Sequence, residues 1–226
     1  MKIKNYTVFD NNLTKNWDKL RNSQTHNSFF VPFDKNTFLL SLNKYTPNPA
    51  IIKDFALLKS TKNINRIVSL CSGSCKLEYH LMKELNLICE VSDNTQSILR
   101  IKKFNIFNNA YFLDLNNDFK LNIDQSCVVL LSRIDTEFDD FELIKLFKTL
   151  HKNKVKYIYF IPAEILNIKT ILIKIKIILS RLMKFKRPYS WGYIRNLNGF
   201  KKLWKHNYSI FKKSKNLVIL ISNDSI

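Results

Sequence analysis

The sequence predicts an α/β domain whose mostly parallel sheet is wound with helices on both faces. Three observations carry that reading. Apolar runs of strand length alternate with helical patterns five times through the middle of the chain. A loop of small residues, Cys71-Ser72-Gly73-Ser74-Cys75, joins the first of those runs to the helical pattern behind it. Polar residues close the runs, at Ser72, Asp93, Asp114, Ser132 and Glu164, along the edge where such sheets bind ligands.

Residues 1–60 read as an irregular layer, in which 16–21 opens a short helix. Phe29, Phe30, Val31 and Phe33 cluster around Pro32; they read as core packing, with a lid over a substrate pocket as the alternative. Residues 51–59 form a helix capped by Asn48, with Pro49 in its first turn. The first strand covers 67–70. Behind the loop, Leu77, His80, Leu81, Glu84 and Leu85 recur at spacings of three and four, which predicts a helix. A second strand follows at 87–91 and ends at Ser92 and Asp93. Helix 95–104, strand 110–113, strand 127–131, helix 138–150 and strand 155–161 come next, the last stopped by Pro162.

Asp93 stands 20 positions after Gly73. Small residues let the backbone approach a ligand, a helix N-terminus offers free N–H groups, and a carboxylate closing the next strand can hold two ribose hydroxyls. The spacing therefore points to a nucleoside-cofactor site, against the alternative of a βαβ unit that binds nothing. Nicotinamide dinucleotide is the runner-up cofactor on the βαβ pattern, and it ranks lower because the loop lacks the third small residue that lets helix and strand pack closely around a pyrophosphate. No Gly-Lys-Ser/Thr follows Gly73, which excludes a triphosphate loop.

The 226 residues fit a cap (1–50) and one domain (51–226). The net charge of +19 is unevenly spread: residues 1–140 contribute +3 and residues 141–226 contribute +16. The C-terminal part should attract anions, whether phospholipid, nucleic acid or a phosphorylated substrate. At about 164–187 an apolar stripe, including Leu172, Ile175 and Leu179, faces Lys169, Lys174, Lys176, Arg181 and Lys184. It reads as a helix packed on the sheet with a solvated basic face. Contact with an anionic membrane is the second reading and nucleic acid the third, since a basic face made mostly of lysine gives little bidentate recognition. Cys71, Cys75, Cys89 and Cys127 lack zinc-like spacing, so no metal is expected and a reduced, cytoplasmic protein is. The first residues lack the apolar core of a signal peptide, and no window is apolar for about 18 residues.

From about residue 50 onward the chain resembles a class I S-adenosylmethionine-dependent methyltransferase. Ile67-Val68-Ser69-Leu70-Cys71-Ser72-Gly73-Ser74-Cys75 is similar to that family's first motif, with Gly73 kept, Ser69 at the position of an acid, and Cys71 and Cys75 at glycine positions. Val91-Ser92-Asp93-Asn94-Thr95 resembles the second motif, Phe112-Leu113-Asp114-Leu115 the third, and Ser132-Arg133-Ile134 the segment after the fourth strand. Segments 191–195 and 199–204 look like a late helix. The resemblance implies seven strands with the last antiparallel, and S-adenosylmethionine as cofactor. It implies cofactor contacts from Ser69, Cys71, Ser72, Gly73, Ser74, Asp93, Asn94, Asp114, Leu115 and Ser132. Asp135 is the expected base, ahead of His80, Glu137, Glu164 and His206, with Arg133, Tyr193 and Arg195 on the acceptor side. The implied acceptor is a small molecule, or a glycan or lipid precursor near a membrane. A non-catalytic module that binds membrane or a partner protein, and an RNA methyltransferase, are the alternatives.

Overall fold

The computed structural model describes residues 2–4, 17–22, 24, 29–166, 171, 172, 175, 176, 179, 193–214 and 217–225. The strands are β1 (Lys2–Lys4), β2 (Arg66–Leu70), β3 (Ile88–Asp93), β4 (Asn109–Phe112), β5 (Cys127–Ser132), β6 (Tyr157–Ile161), β7 (Tyr193–Arg195), β8 (Tyr208–Ser214) and β9 (Leu217–Ser222). The helices are α1 (Trp17–Asn22), α2 (Lys35–Asn43), α3 (Pro49–Lys62), α4 (Lys76–Leu85), α5 (Ser97–Phe104), α6 (Asp140–Lys152) and α7 (Leu197–Trp204). Seven strands form one sheet in the order β4-β3-β2-β5-β6-β9-β8, and β1 pairs with β7 in a separate ribbon. Strands β2 to β6 run parallel, while β9 lies antiparallel to both β6 and β8. The seven-stranded α/β architecture and its antiparallel last strand are as the sequence predicts.

The sheet owes its two-sided core to the apolar strands. Ile67 lies in register between Cys89 and Val128, and successive residues of β2 alternate between the faces. On one face Ile67, Val91, Val128 and Tyr159 pack against Phe38 and Leu42 of α2, Phe55 and Leu58 of α3, Leu81 of α4 and Ile98 of α5. On the other, Val68, Leu131 and Phe160 meet Leu143 and Phe147 of α6 with Phe200 and Trp204 of α7. Each such side chain contributes roughly 1.5–3 kcal/mol by leaving water.

The order of strands positions the site. Chain progress runs from β2 through β3 to β4 on one side, then crosses to β5 and β6 on the other. The loop after β2 therefore opens at the reversal point, the crevice where doubly wound sheets bind ligands.

Two local expectations need correction. Helix α2 forms inside the layer expected to be irregular. Asp34 caps it by accepting the Thr37 N–H at 2.8 Å, and Phe38 and Leu42 anchor one face. Its weak helix formers Asn36, Thr37 and Ser41 hide that pattern in the sequence. Tyr193 to Arg195 are strand, not late helix, because they pair with Lys2 to Lys4. The helix starts only at Leu197, where Asn196 accepts the Gly199 N–H at 2.8 Å. The expected basic helix at 164–187 lies largely outside the described residues. Among the described residues, no helix is long and apolar enough to cross a membrane.

Candidate functional site

A cavity of about 670 Å³ opens at the carboxyl ends of β2, β3 and β5. Its floor is the loop after β2. Cys71, Gly73 and Cys75 all take left-handed backbone angles, with φ of 56°, 59° and 54°. Two cysteines thus hold a conformation that glycine adopts at no steric cost, and the loop keeps a glycine-like path. The Gly73 N–H donates to Asp93 Oδ2 at 2.8 Å, and Thr95 N–H donates to Oδ1 at 3.1 Å. Asp93 is buried at the end of β3 on the cavity wall, and a carboxylate can accept more hydrogen bonds than these two. Asp114, in the turn after β4, accepts from Asn116 N–H and from the Asn116 and Asn117 amides at 3.0–3.1 Å.

Three further groups on the wall were not legible in the motif. Glu78, in the first turn of α4, is 2% exposed and accepts the Ser69 hydroxyl at 2.7 Å. Burial pushes its carboxyl up to about 7, opposed by that hydrogen bond. Ser69 itself does not line the cavity; it lies behind it and holds Glu78. An acid is therefore present at the loop, supplied by the helix instead of the strand. Its only sequence signal is a glutamate in the first turn after a small-residue loop. Arg21 reaches in from α1, with Nη1 donating to the Phe29 carbonyl at 3.2 Å and Nη2 lying 3.9 Å from Asp93 Oδ2. Its guanidinium sits over the Trp17 ring at 5.1 Å, and Nε is buried without an acceptor among the described residues. Lys76, at the start of α4, is half-buried on the same wall, and burial lowers its pKa.

The structure brings together Cys71, Ser72, Gly73, Ser74, Asp93, Asn94, Asp114, Leu115, Ser132 and Arg133 around this one cavity. Phe29 lines it as well, whereas Val31 is in the core and Phe33 is exposed. Asp135, Tyr193 and Arg195 do not line it. Asp135 is fully buried; Oδ1 accepts the Ala163 N–H at 2.9 Å, Oδ2 has no hydrogen-bond partner among the described residues, and burial pushes its pKa up to about 6. Arg195, 1% exposed, donates to the Asp135 carbonyl at 2.7 Å, the Phe138 carbonyl at 2.9 Å and Asp140 Oδ1 at 2.9 Å. It clamps the turn between β5 and α6 from behind, with Tyr193 packed under its guanidinium at 5.1 Å. The 3₁₀ turn Ile134–Thr136 is what rotates Asp135 inward while Arg133, Thr136 and Glu137 face the cavity. His80 is tied to Glu84 and the Leu42 carbonyl at 3.1 and 3.0 Å, and His206 is exposed.

No protein-family model matches the sequence, and no curated protein matches it. Solved structures do match its fold. A protein described under the conversion of a disulfide bond into a thioacetal group during echinomycin biosynthesis superposes with a TM-score of 0.58 at 14% identity, covering 92% of each chain. The pyocyanin biosynthetic protein PhzM gives 0.58 at 12% identity over 91% of this chain and 61% of its own. Human N-acetylserotonin methyltransferase, in complex with SAM, gives 0.50 at 13% identity over 84% and 56%. This chain thus spans little more than half the length of the last two. The chain has the class I methyltransferase fold.

Proposed function

We propose that the protein is an S-adenosylmethionine-dependent methyltransferase acting on a small molecule. The observation that carries this is the Gly73–Asp93 pair: a left-handed loop at the strand reversal whose N–H holds a buried carboxylate on the cavity wall. In this reading Asp93 receives the ribose hydroxyls, Leu115 and Asp114 border the base, and Glu78 receives the amino group of the methionine part. When bound, the sulfonium supplies an already activated methyl group, so positioning provides much of the rate. Glu137, on the cavity wall after β5, takes the role of proton acceptor that the sequence assigned to Asp135. Titration calorimetry with S-adenosylhomocysteine tests the reading. One molecule should bind per chain, and Asp93→Ala should weaken it by about 1.5–3 kcal/mol, the scale of hydrogen bonds to a charged group. Absence of binding by the folded wild-type protein would sink the proposal.

A second, compatible reading concerns where the enzyme works. Leu172, Ile175 and Leu179 share helical spacing, and they are 61%, 47% and 54% exposed in the most basic part of the chain. Exposed apolar residues set among lysines favour peripheral contact with an anionic membrane.

A further inference from the structure

Four of the cavity's carboxylates are engaged, while two of its three cations, Lys76 and Arg133, are not. Of the five acids on its wall, Glu78 accepts from Ser69, Asp93 from Gly73 and Thr95, Asp114 from Asn116 and Asn117, and Glu142 from the Asp139 N–H. Lys76 and Arg133 line the same wall, and neither side chain has a hydrogen bond or ion pair among the described residues. Lys76 bears this while half-buried, so its charge is partly stripped of water. Arg21 adds a buried Nε with no acceptor among the described residues. Besides the acceptor sites left on its acids, the cavity therefore offers an anion two cations without a protein partner among the described residues, Lys76 half-buried and Arg133 exposed at its mouth.

The cofactor of the proposed reaction carries one carboxylate, which satisfies one cation and leaves the others. Arg133 is the cation set apart. It follows β5, on the opposite side of β2 from β3 and β4, whose ends hold Asp93 and Asp114. That is the side left for the acceptor. Tyr45 and the edge-to-face pair Trp17 and Phe29, 5.6 Å apart, give the cavity apolar rings against which a small organic body can rest. We propose that the methyl acceptor is an anion, a small molecule bearing a carboxylate or a phosphate, received by Arg133 with help from Lys76. This rests on the methyltransferase reading for the word acceptor, but the anion site itself stands on the cavity alone.

The test uses benzoate and phenyl phosphate as probes, with benzyl alcohol as the neutral control. Each is titrated into the full chain with and without saturating S-adenosylhomocysteine. At least one anionic probe should bind about tenfold or more tightly than the alcohol, and which one separates carboxylate from phosphate. Arg133→Gln should erase most of that preference, Arg133→Lys should restore part of it, and S-adenosylhomocysteine affinity should change by no more than about twofold, because the contact lies outside the nucleoside side. Melting temperature checks that the variants are folded. Equal binding of all three probes overturns the proposal. So does a fall in S-adenosylhomocysteine affinity in Arg133→Gln as large as the fall in probe affinity, which would give Arg133 to the cofactor. If wild-type protein binds no S-adenosylhomocysteine yet keeps an Arg133-dependent preference for anions, the cofactor reading fails and the anion site stands.

Discussion

The guanidinium of Arg21 fills the space that a side chain on Gly73 would need: a Cβ built on that glycine stands 2.6 Å from Nη2. Asp93 joins them, accepting the Gly73 N–H and facing the same guanidinium. The N-terminal helix α1, the loop after β2 and the end of β3 thus meet at one point on the cavity wall. Asp18 of α1 strengthens the junction by accepting the Gln96 N–H at 2.6 Å, and Arg100 of α5 donates to Asn22 at 3.0 Å.

Gly73→Ala should therefore be costly in two ways. The residue has φ of +59°, which disfavours any Cβ by about 1–2 kcal/mol, and the new methyl collides with Arg21. A fall in melting temperature together with weaker S-adenosylhomocysteine binding is expected. Adding Arg21→Ala should return part of the stability but not the backbone strain. A Gly73→Ala protein as stable as wild type would refute this packing.

The flanking cysteines behave oppositely. Cys71 and Cys75 carry side chains at left-handed positions, so glycine at either relieves about 1 kcal/mol of backbone strain. Cys71 is half-buried and loses little packing, so Cys71→Gly should melt higher and bind S-adenosylhomocysteine at least as well. Cys75 is fully buried, so Cys75→Gly gives up burial of comparable size and should be near neutral. Burial pushes both thiols up, which leaves them protonated and poorly nucleophilic near neutral pH. Loss of binding in Cys71→Gly would show that the sulfur has a chemical role.

Glu78 should make stability and binding respond to pH in opposite senses. Its carboxyl is raised from 4.5 to about 7, so between those values the folded state holds a proton that the unfolded state has released. That contribution is fully present below pH 4.5 and is lost as pH rises through about 7, amounting to about 3 kcal/mol at most. Glu78→Gln should flatten the melting temperature across this window and raise it above pH 7. Binding of S-adenosylhomocysteine should instead strengthen as pH rises through 7 in wild type, since an ammonium needs the carboxylate form, and Glu78→Gln should abolish that rise. A glutamine variant that keeps both pH dependences would remove Glu78 from the site.

Membrane contact is separable from the chemistry. Co-sedimentation with vesicles containing anionic lipid should exceed that with neutral vesicles and weaken with salt. Leu172→Glu with Ile175→Glu should reduce it severalfold while S-adenosylhomocysteine binding is unchanged, because both side chains are exposed and neither lines the cavity. Equal binding to both vesicle types would leave the basic region as a solvated face.

The sequence by itself determined the sheet and which residues the sheet gathers around the candidate site. Alternation of strand-length and helix-length patterns dictates parallel strands joined by crossovers, and crossovers put the residues after each strand on one edge. Gly73, Asp93, Asp114, Ser132 and Arg133 converge for that reason, each by its place next to a strand end. Only the tertiary structure decided which neighbouring side chains turn toward the cavity. Asp135 and Glu137 are two positions apart, yet the 3₁₀ turn and the Arg195 clamp bury the first and leave the second on the wall. Arg21 reaches Gly73 and Asp93 through packing of α1, a contact that no local periodicity encodes. Glu78 was hidden for a related reason: a helix side chain points back toward the N-terminus of its helix, here onto Ser69 and the loop, so the acid missing from β2 is restored from the next element.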